Sequence, residues 1–390
     1  MIEPVVHIAQ HSGYVYPNET IIPWGVLIVF YPYVTGLVAG SFTISSLYHI
    51  FGVKAFRPIA RLALLTAFSF MLFVPFFLLA HLGHPERALN AVITPNLTSA
   101  FAAFGYIAVF YIIILVLEIW FAFRPEIVAR SKQLTLTGRL YRLLSLGSDD
   151  LSAHALAIDR KWIWWLAMIG IPCAHILHGY VGFVFGSLKS REWWASDMMP
   201  AIFLGSAIIS GIAILVLLYV LSCHLRKTVP DTTCLRSLCY TLWGFLLFTL
   251  VLEFLEFINY VYKGREGIDM IYALLNGPIF WSVVVQVGAS ILSLVMLGTM
   301  VYNHAQVKHL TAKLVVCAGL ILVAVFAMRW NVVIGGQELS KTLHGLLYYR
   351  PPWLGREGIL MAMLIFAMPF AILAGLVKML PPWEHDQERA

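Results

Sequence analysis

Nine apolar runs, near residues 22–50, 59–80, 98–123, 162–187, 198–222, 236–262, 276–301, 313–335 and 357–379, restrict what this chain can fold into more than any other feature. Each reaches the roughly 20 helical residues that cross a ~30 Å hydrocarbon layer. Inside lipid the backbone must satisfy its own hydrogen bonds, which favours the α-helix for separate runs of this length. The sequence therefore predicts an all-α, polytopic transmembrane helical bundle of about nine spans, with the two termini on opposite sides. Composition agrees: 60% of the 390 residues are hydrophobic and 12% are charged, where a soluble domain carries about 45–50% and about 25%.

Lysines and arginines set the orientation. The loops at 51–61, 124–161, 223–236 and 302–313 and the C-terminal end hold 17 of them, the N-terminus and the alternate loops hold 8, and Arg329 lies within a span. By the positive-inside rule the N-terminus is outside and the C-terminus cytoplasmic. The net charge of +6 thus reads as topology and not as a nucleic-acid surface. The longest polar connection, 124–161, carries Arg124, Arg130, Lys132, Arg139, Arg142, Arg160 and Lys161. It is expected to lie on anionic lipid headgroups as a basic cytoplasmic linker, each basic residue near the surface contributing about 1 kcal/mol. Residues 1–20 contain no Lys or Arg, unlike the basic start of a signal peptide, so the first run is expected to stay as a span. No connection approaches a soluble domain in size. Residues 1–390 read as a single membrane domain, and redox centres have to come from other chains. Cys173, Cys223, Cys234, Cys239 and Cys317 show no C-x-x-C pair and no ferredoxin-like spacing, which supports neither a disulfide framework nor an iron–sulfur cluster.

An ionisable group in lipid is costly unless it is paired or faces a cavity. Six stand out within the runs: Glu118, His175, His178, Glu253, Glu256 and Arg329. His175 and His178 are three residues apart, hence on one helix face, and Tyr180 follows. Imidazole and phenol groups can donate hydrogen bonds to a quinone carbonyl and exchange protons with it. Structural hydrogen bonding and haem ligation are the competing readings. A bis-histidine haem needs a second histidine at similar depth on a facing helix, and the spans offer only His49 and His81, near opposite ends. Glu253 and Glu256 also share a face, with Asn259 and Tyr260 one turn further on. They read either as proton carriers or as one side of an interhelical ion pair with Arg329 or Lys263. Trp162, Trp164, Trp165, Trp193 and Trp194 sit at span ends and read as interfacial anchors. Pro32 predicts a kink in the first span, and Gly36 and Gly40 allow close helix approach there.

Five segments, PWGVLIVFYPYVTGLVAG (23–40), HLGHPERALNAVITPN (81–96), GIPCAHILHGYVGFVFGSLKSREWW (170–194), MPAIFLGSAIISG (199–211) and MRWNVVIGGQ (328–337), occur in an order and spacing that resembles the polysulfide-reductase membrane-subunit family, NrfD/PsrC. The resemblance covers most of residues 22–379. It implies a subunit of a respiratory oxidoreductase complex in the cytoplasmic (inner) membrane of a prokaryote, with no haem, iron–sulfur cluster or other metal of its own. It also implies menaquinone or ubiquinone bound near the outer surface. Electrons would pass between that quinone and a ferredoxin-like iron–sulfur subunit docked outside, which leads to a further catalytic or cytochrome subunit.

Carried over position by position, the resemblance puts quinone contacts at Trp24, His178 and Tyr180, with His175 beside them, and matches Arg329 and Gln337 to the eighth-span motif. Glu256 joins His178 and Tyr180 as a candidate catalytic group, while Glu118, Glu253 and Glu256 make the candidate proton path. Arg87 and Asn96 in the loop after span two are candidate partner contacts. That loop departs from the family pattern D-L-G-R-P by carrying His81 and His84, which become candidate partner contacts as well. The ninth span resembles the longer relatives in hydrogenase, sulfite-reducing and DsrMKJOP-type complexes. Two rival classes stay open on the residues alone: a secondary transporter, whose charges belong near a midplane repeat interface, and a haem b membrane anchor.

Overall fold

A computed structural model describes residues 10–96, 98–264, 267–303 and 309–383. Among the described residues, nine helical segments are long and apolar enough to cross a membrane, one for each apolar run. Strand β1 (Gln10–Tyr14) leads into α1 (Val26–His49), the first span. Span two is made of α2 (Arg57–Met71) and α3 (Val74–His81), followed by the short α4 (Asn90–Ile93). Next come α5 (Ala100–Ser131), α6 (Leu136–Leu144), α7 (Ala153–Gly186), α8 (Met199–Leu225) and α9 (Thr232–Tyr262). The chain continues through α10 (Ile268–Leu275), α11 (Phe280–Tyr302), α12 (Leu310–Trp330) and the one-turn α13 (Gly336–Glu338). Strand β2 (His344–Tyr348) and the last span, α14 (Ile359–Met379), complete it.

Helix α1 is the axis of the bundle. Every residue from Val26 to Ser46 is buried, and the helix packs on α2, α3, α7, α8, α12 and α14. Between membrane helices association rests on close backbone packing, which small residues permit. At the crossing with α8, a Cβ on Gly40 would come within 2.8 Å of the Cα of Gly211. At Gly36 a Cβ would meet Ala207 and the His178 ring at 3.3 Å. The outer helices α9, α11 and α14 instead present Phe254, Leu255, Ile291, Leu292, Leu360 and Leu364 outward, as spans facing lipid do.

Helix α1 runs on through Pro32, and span two is interrupted at Leu72–Phe73, just before Pro75. Pro75 stands at the first positions of α3, where its missing amide hydrogen costs no helical bond. The connection 124–161 is largely helical: α5 runs on to Ser131 and α7 starts at Ala153, where Ser152 Oγ caps the Ala155 amide at 3.2 Å. Between them lies the amphipathic α6. Arg124 pins this connection, its Nε 2.8 Å from each oxygen of Asp159 and its Nη1 2.9 Å from Ser148 Oγ and 2.8 Å from the Asp150 carbonyl.

Strands β1 and β2 pair antiparallel, Gln10 opposite Tyr348 and Tyr14 opposite His344. The pair lies at the end of the bundle where α1 begins and α7 ends, here the sheet end. The opposite, far end carries α6 and the start of α7.

Candidate functional site

Arg329, in the last turn of α12, is fully buried. Its Nη2 lies 3.2 Å from His178 Nε2, 3.2 Å from the Phe203 carbonyl and 2.7 Å from Ser206 Oγ. Its guanidinium carbon sits 3.9 Å from the centre of the Phe203 ring, a cation–π contact that desolvation strengthens. A guanidinium has donors and no acceptor. His178 Nε2 is therefore the acceptor, and in the neutral ring the proton sits on Nδ1. That Nδ1, together with Arg329 Nε and Nη1, is buried without a protein hydrogen-bond partner. Three donors on two adjoining side chains are thus without a protein acceptor, where a buried polar group ordinarily finds a partner. Among the described residues no carboxylate forms an ion pair with Arg329, so the pairing with Glu253 or Glu256 weighed from the sequence does not form.

A column of aromatic rings joins this cluster to the sheet end. His178 lies 6.1 Å from Phe203, Phe203 5.7 Å from Phe185, and Phe185 5.7 Å from Trp24 and 5.1 Å from Trp194. Trp24 and Trp194 stack at 5.4 Å. Trp194 is only 3% exposed and its indole nitrogen donates to the Val332 carbonyl. It faces inward and is not an interfacial anchor, whereas Trp162 and Trp165 are about half exposed. Gly336 lies against the Trp194 indole where any side chain would collide.

Gln337 locks span eight to span one: its Oε1 accepts from the Trp24 amide at 3.0 Å, and its Nε2 donates at 2.8 Å to the Trp24 and Val333 carbonyls. Above it, Arg191 pairs with buried Glu19 at 2.9 Å and donates to the carbonyls of Gln337 and Leu339. Burial pulls the Arg191 guanidinium below its ordinary pKa, and Glu19 opposes that pull. The Tyr349 hydroxyl accepts from the Val26 amide at 3.1 Å. Burial pushes this phenol up to about 12, so it stays protonated.

Beyond Arg329 the chain makes a π-helical turn, Asn331–Gly335, a form common at functional sites. Asn331 heads a line of polar groups that the sequence does not flag, because neutral amides within spans carry no charge signal. Its Nδ2 donates to Gln286 Oε1 at 2.7 Å, Gln286 Nε2 donates to Glu253 Oε2 at 2.9 Å, and Ser282 Oγ donates to Asn331 Oδ1. Glu253 is thus tied through Gln286 to the turn that follows Arg329. Glu256 is half-buried one turn along α9 and makes no described hydrogen bond or ion pair.

The remaining candidates are scattered. His175 Nδ1 donates to the Ile171 carbonyl at 2.7 Å, and its Nε2 lies 3.4 Å from Thr43 Oγ1. Tyr180 is two residues from His178, hence on the other side of α7, and its ring packs 5.4 Å from Phe183. Glu118 is fully buried on α5 with neither carboxylate oxygen bonded, as are the Tyr111 hydroxyl and Ser41, Ser45 and Ser46 Oγ. After span two, His81 pairs with Glu357 at 3.2 Å and His84 with Glu86 at 2.9 Å. Arg87 is exposed, and Asn96 Oδ1 accepts locally from the Thr98 amide and hydroxyl at 3.1 and 2.7 Å. None of these four loop residues touches the Arg329 cluster.

Comparison with known proteins matches the family described as polysulphide reductase, NrfD, over residues 16–340. A selenate reductase subunit of Mesobacillus selenatarsenatis is 34% identical over 324 residues, 80% of this chain and 73% of the relative. A putative dimethyl sulfoxide reductase membrane subunit of Halobacterium salinarum is 27% identical over 242 residues, 62% and 53% of the two chains. The Hdr-like menaquinol oxidoreductase integral membrane subunit of Archaeoglobus fulgidus is 24% identical over 377 residues, 90% and 85% of the two.

Proposed function

The chain belongs to the NrfD polysulphide reductase family of reductase membrane subunits, and on that premise we propose that it is the quinone-reactive subunit of a respiratory oxidoreductase complex. The observation that carries the reading is the unpaired donor set of Arg329 and His178 at the foot of the aromatic column. A quinone head offers what those groups lack: flat rings to stack among aromatics and carbonyl oxygens to accept from buried N–H groups. When bound it supplies a two-electron, two-proton couple. Arg329 Nε and Nη1 donate to its oxygen, and the proton on His178 Nδ1 is the one placed for exchange. Trp24 and Trp194 wall the approach, and Gln337 holds Trp24 in place. His175 and Tyr180 stand outside this inner set, His175 positioning α7 against α1 through Thr43.

The charge count supports placing the sheet end outside and the far end in the cytoplasm of a prokaryotic inner membrane. Electrons then pass at the sheet end to a ferredoxin-like iron–sulfur subunit, for which His81, His84, Arg87 and Asn96 offer surface contacts, while the terminal substrate is handled on another chain. The word menaquinol in the name of the Archaeoglobus relative favours menaquinone over ubiquinone. Occupation of His178 Nε2 by a guanidinium disfavours haem at this histidine. Quinone extracted from the purified complex tests the reading. His178→Ala is expected to lose bound quinone and quinol-dependent turnover together, and survival of both would overturn it.

A second proposal concerns proton transfer. Glu118, with no partner on either oxygen, and the unbonded hydroxyls of Tyr111 on α5 and of Ser41, Ser45 and Ser46 on α1 are buried polar groups without protein partners. Ordered water is the ordinary partner of such groups. We propose that Glu118 and these hydroxyls carry protons toward the far end and that Glu253 and Glu256 serve the sheet end. Glu118→Gln is expected to lower the protons taken up per quinone turned over, and an unchanged stoichiometry would reject the path.

A further inference from the structure

At the far end of the bundle a cavity of about 430 Å³ opens between the end of α1, the start of α2, α5 and the start of α7. It is far larger than one or two water molecules require, each taking about 30 Å³. Two of its charges are already neutralised: Arg61 is bonded to Glu126, and Asp159 is held by Arg124. Among the described residues, Lys54 and Arg160 are exposed at the rim and make no described ion pair. Inside, His49 Nε2 is buried without a hydrogen-bond partner.

The other wall is apolar, formed by Phe121 and Ile163. Phe121 stacks at 5.9 Å on Trp162, which is half exposed, and Leu117 one turn along α5 is 42% exposed. The cavity's apolar wall thus adjoins, through Phe121, the exposed surface of α5 and α7 at Leu117 and Trp162. An anion with no hydrophobic part would use the rim alone. An anionic phospholipid would use both surfaces.

We propose that this cavity is a binding site for an anionic phospholipid of the phosphatidylglycerol or cardiolipin type. Lys54 and Arg160 hold the phosphodiester, His49 Nε2 bonds to it from within, and an acyl chain lies along Phe121 and Trp162. Basic pockets between spans are suited to such headgroups. The site is independent of the quinone reading, since it shares no residue with the Arg329 cluster.

The test uses the full-length protein purified in mild detergent, exchanged through mixed micelles of phosphatidylglycerol and phosphatidylcholine in equal amounts, with retained lipid counted by mass spectrometry. The expected result is a preference for phosphatidylglycerol of about tenfold, falling to near equality in Lys54→Glu/Arg160→Glu and in the milder Lys54→Gln/Arg160→Gln. Arg139→Glu, an exposed charge change on α6 at the same end, is expected to leave the preference intact. Equal retention of the two lipids by the unaltered protein would overturn the proposal. So would an equal loss in Arg139→Glu, or protection against thermal unfolding by inorganic phosphate as full as that by phosphatidylglycerol.

Discussion

Arg329 is the least expected residue in the molecule: a cation in a membrane span, fully buried, held by two neutral acceptors, a histidine nitrogen and a ring face. The groups bonded to Arg329 are neutral, so its removal strands no buried counter-charge, which is what makes breaking a buried ion pair costly. Arg329→Met is therefore expected to give protein with the thermal midpoint of the parent or higher, and with quinol-dependent turnover lower by at least ~100-fold, the scale of losing a preorganised donor to a reacting oxygen. A fall in midpoint with turnover retained would mean that Arg329 is structural. At this scale the sequence is informative where charge is rare. Arg329, His178, Glu118 and Glu253 all announce themselves as ionisable groups in apolar runs. Ser206, Gln286 and Asn331 do not, because neutral polar side chains within a span are common and their partners lie on other helices. Trp194 escapes for a related reason: a tryptophan at a span end is ordinarily an interfacial anchor, and only the tertiary contact with Trp24 and Gly336 shows it turned inward.

Among the elements, α1 and α8 set the framework on which the site stands, because α8 carries Phe203 and Ser206 and α1 backs His178 at Gly36. Their crossing tolerates no side chain at Gly211. Gly211→Val is expected to cost about 1–3 kcal/mol, the usual range for overpacking, seen as a lower thermal midpoint in detergent. Gln337→Ala removes the amide that joins span eight to Trp24 and is expected to cost about 1–3 kcal/mol. It should also raise the KM for quinol more than it lowers kcat, because it loosens the wall of the site and leaves Arg329 in place. Gly40 is legible as a small residue for close packing, but its partner Gly211 is not, since a single sequence holds no record of which helices meet. The break before Pro75 is hidden by an apolar run that continues across it. The helical extensions on either side of 124–161 are hidden by their charged residues, which are polar in composition and helical in conformation.

For the molecule as a whole, nine spans and an all-α class follow directly from the length and spacing of the apolar runs, because lipid leaves the backbone so few choices. Orientation rests on the uneven placement of Lys and Arg and is open to direct measurement. Val229, 90% exposed at the far end, and Glu86, in the loop after span two, can be replaced singly by cysteine, since the native cysteines are all buried. In right-side-out vesicles an impermeant thiol reagent is expected to label Glu86→Cys and spare Val229→Cys, and the reverse pattern would invert the topology. The central claim is that the Arg329–His178 cluster receives the quinone head, and photo-crosslinking of the purified complex with an azido-quinone, mapped by mass spectrometry, tests it most directly. Label in segments 170–194 and 328–337, competed by menaquinone and abolished in His178→Ala, is the expected result. Label confined to the lipid-facing surfaces of α9, α11 and α14, and unchanged in His178→Ala, would contradict it.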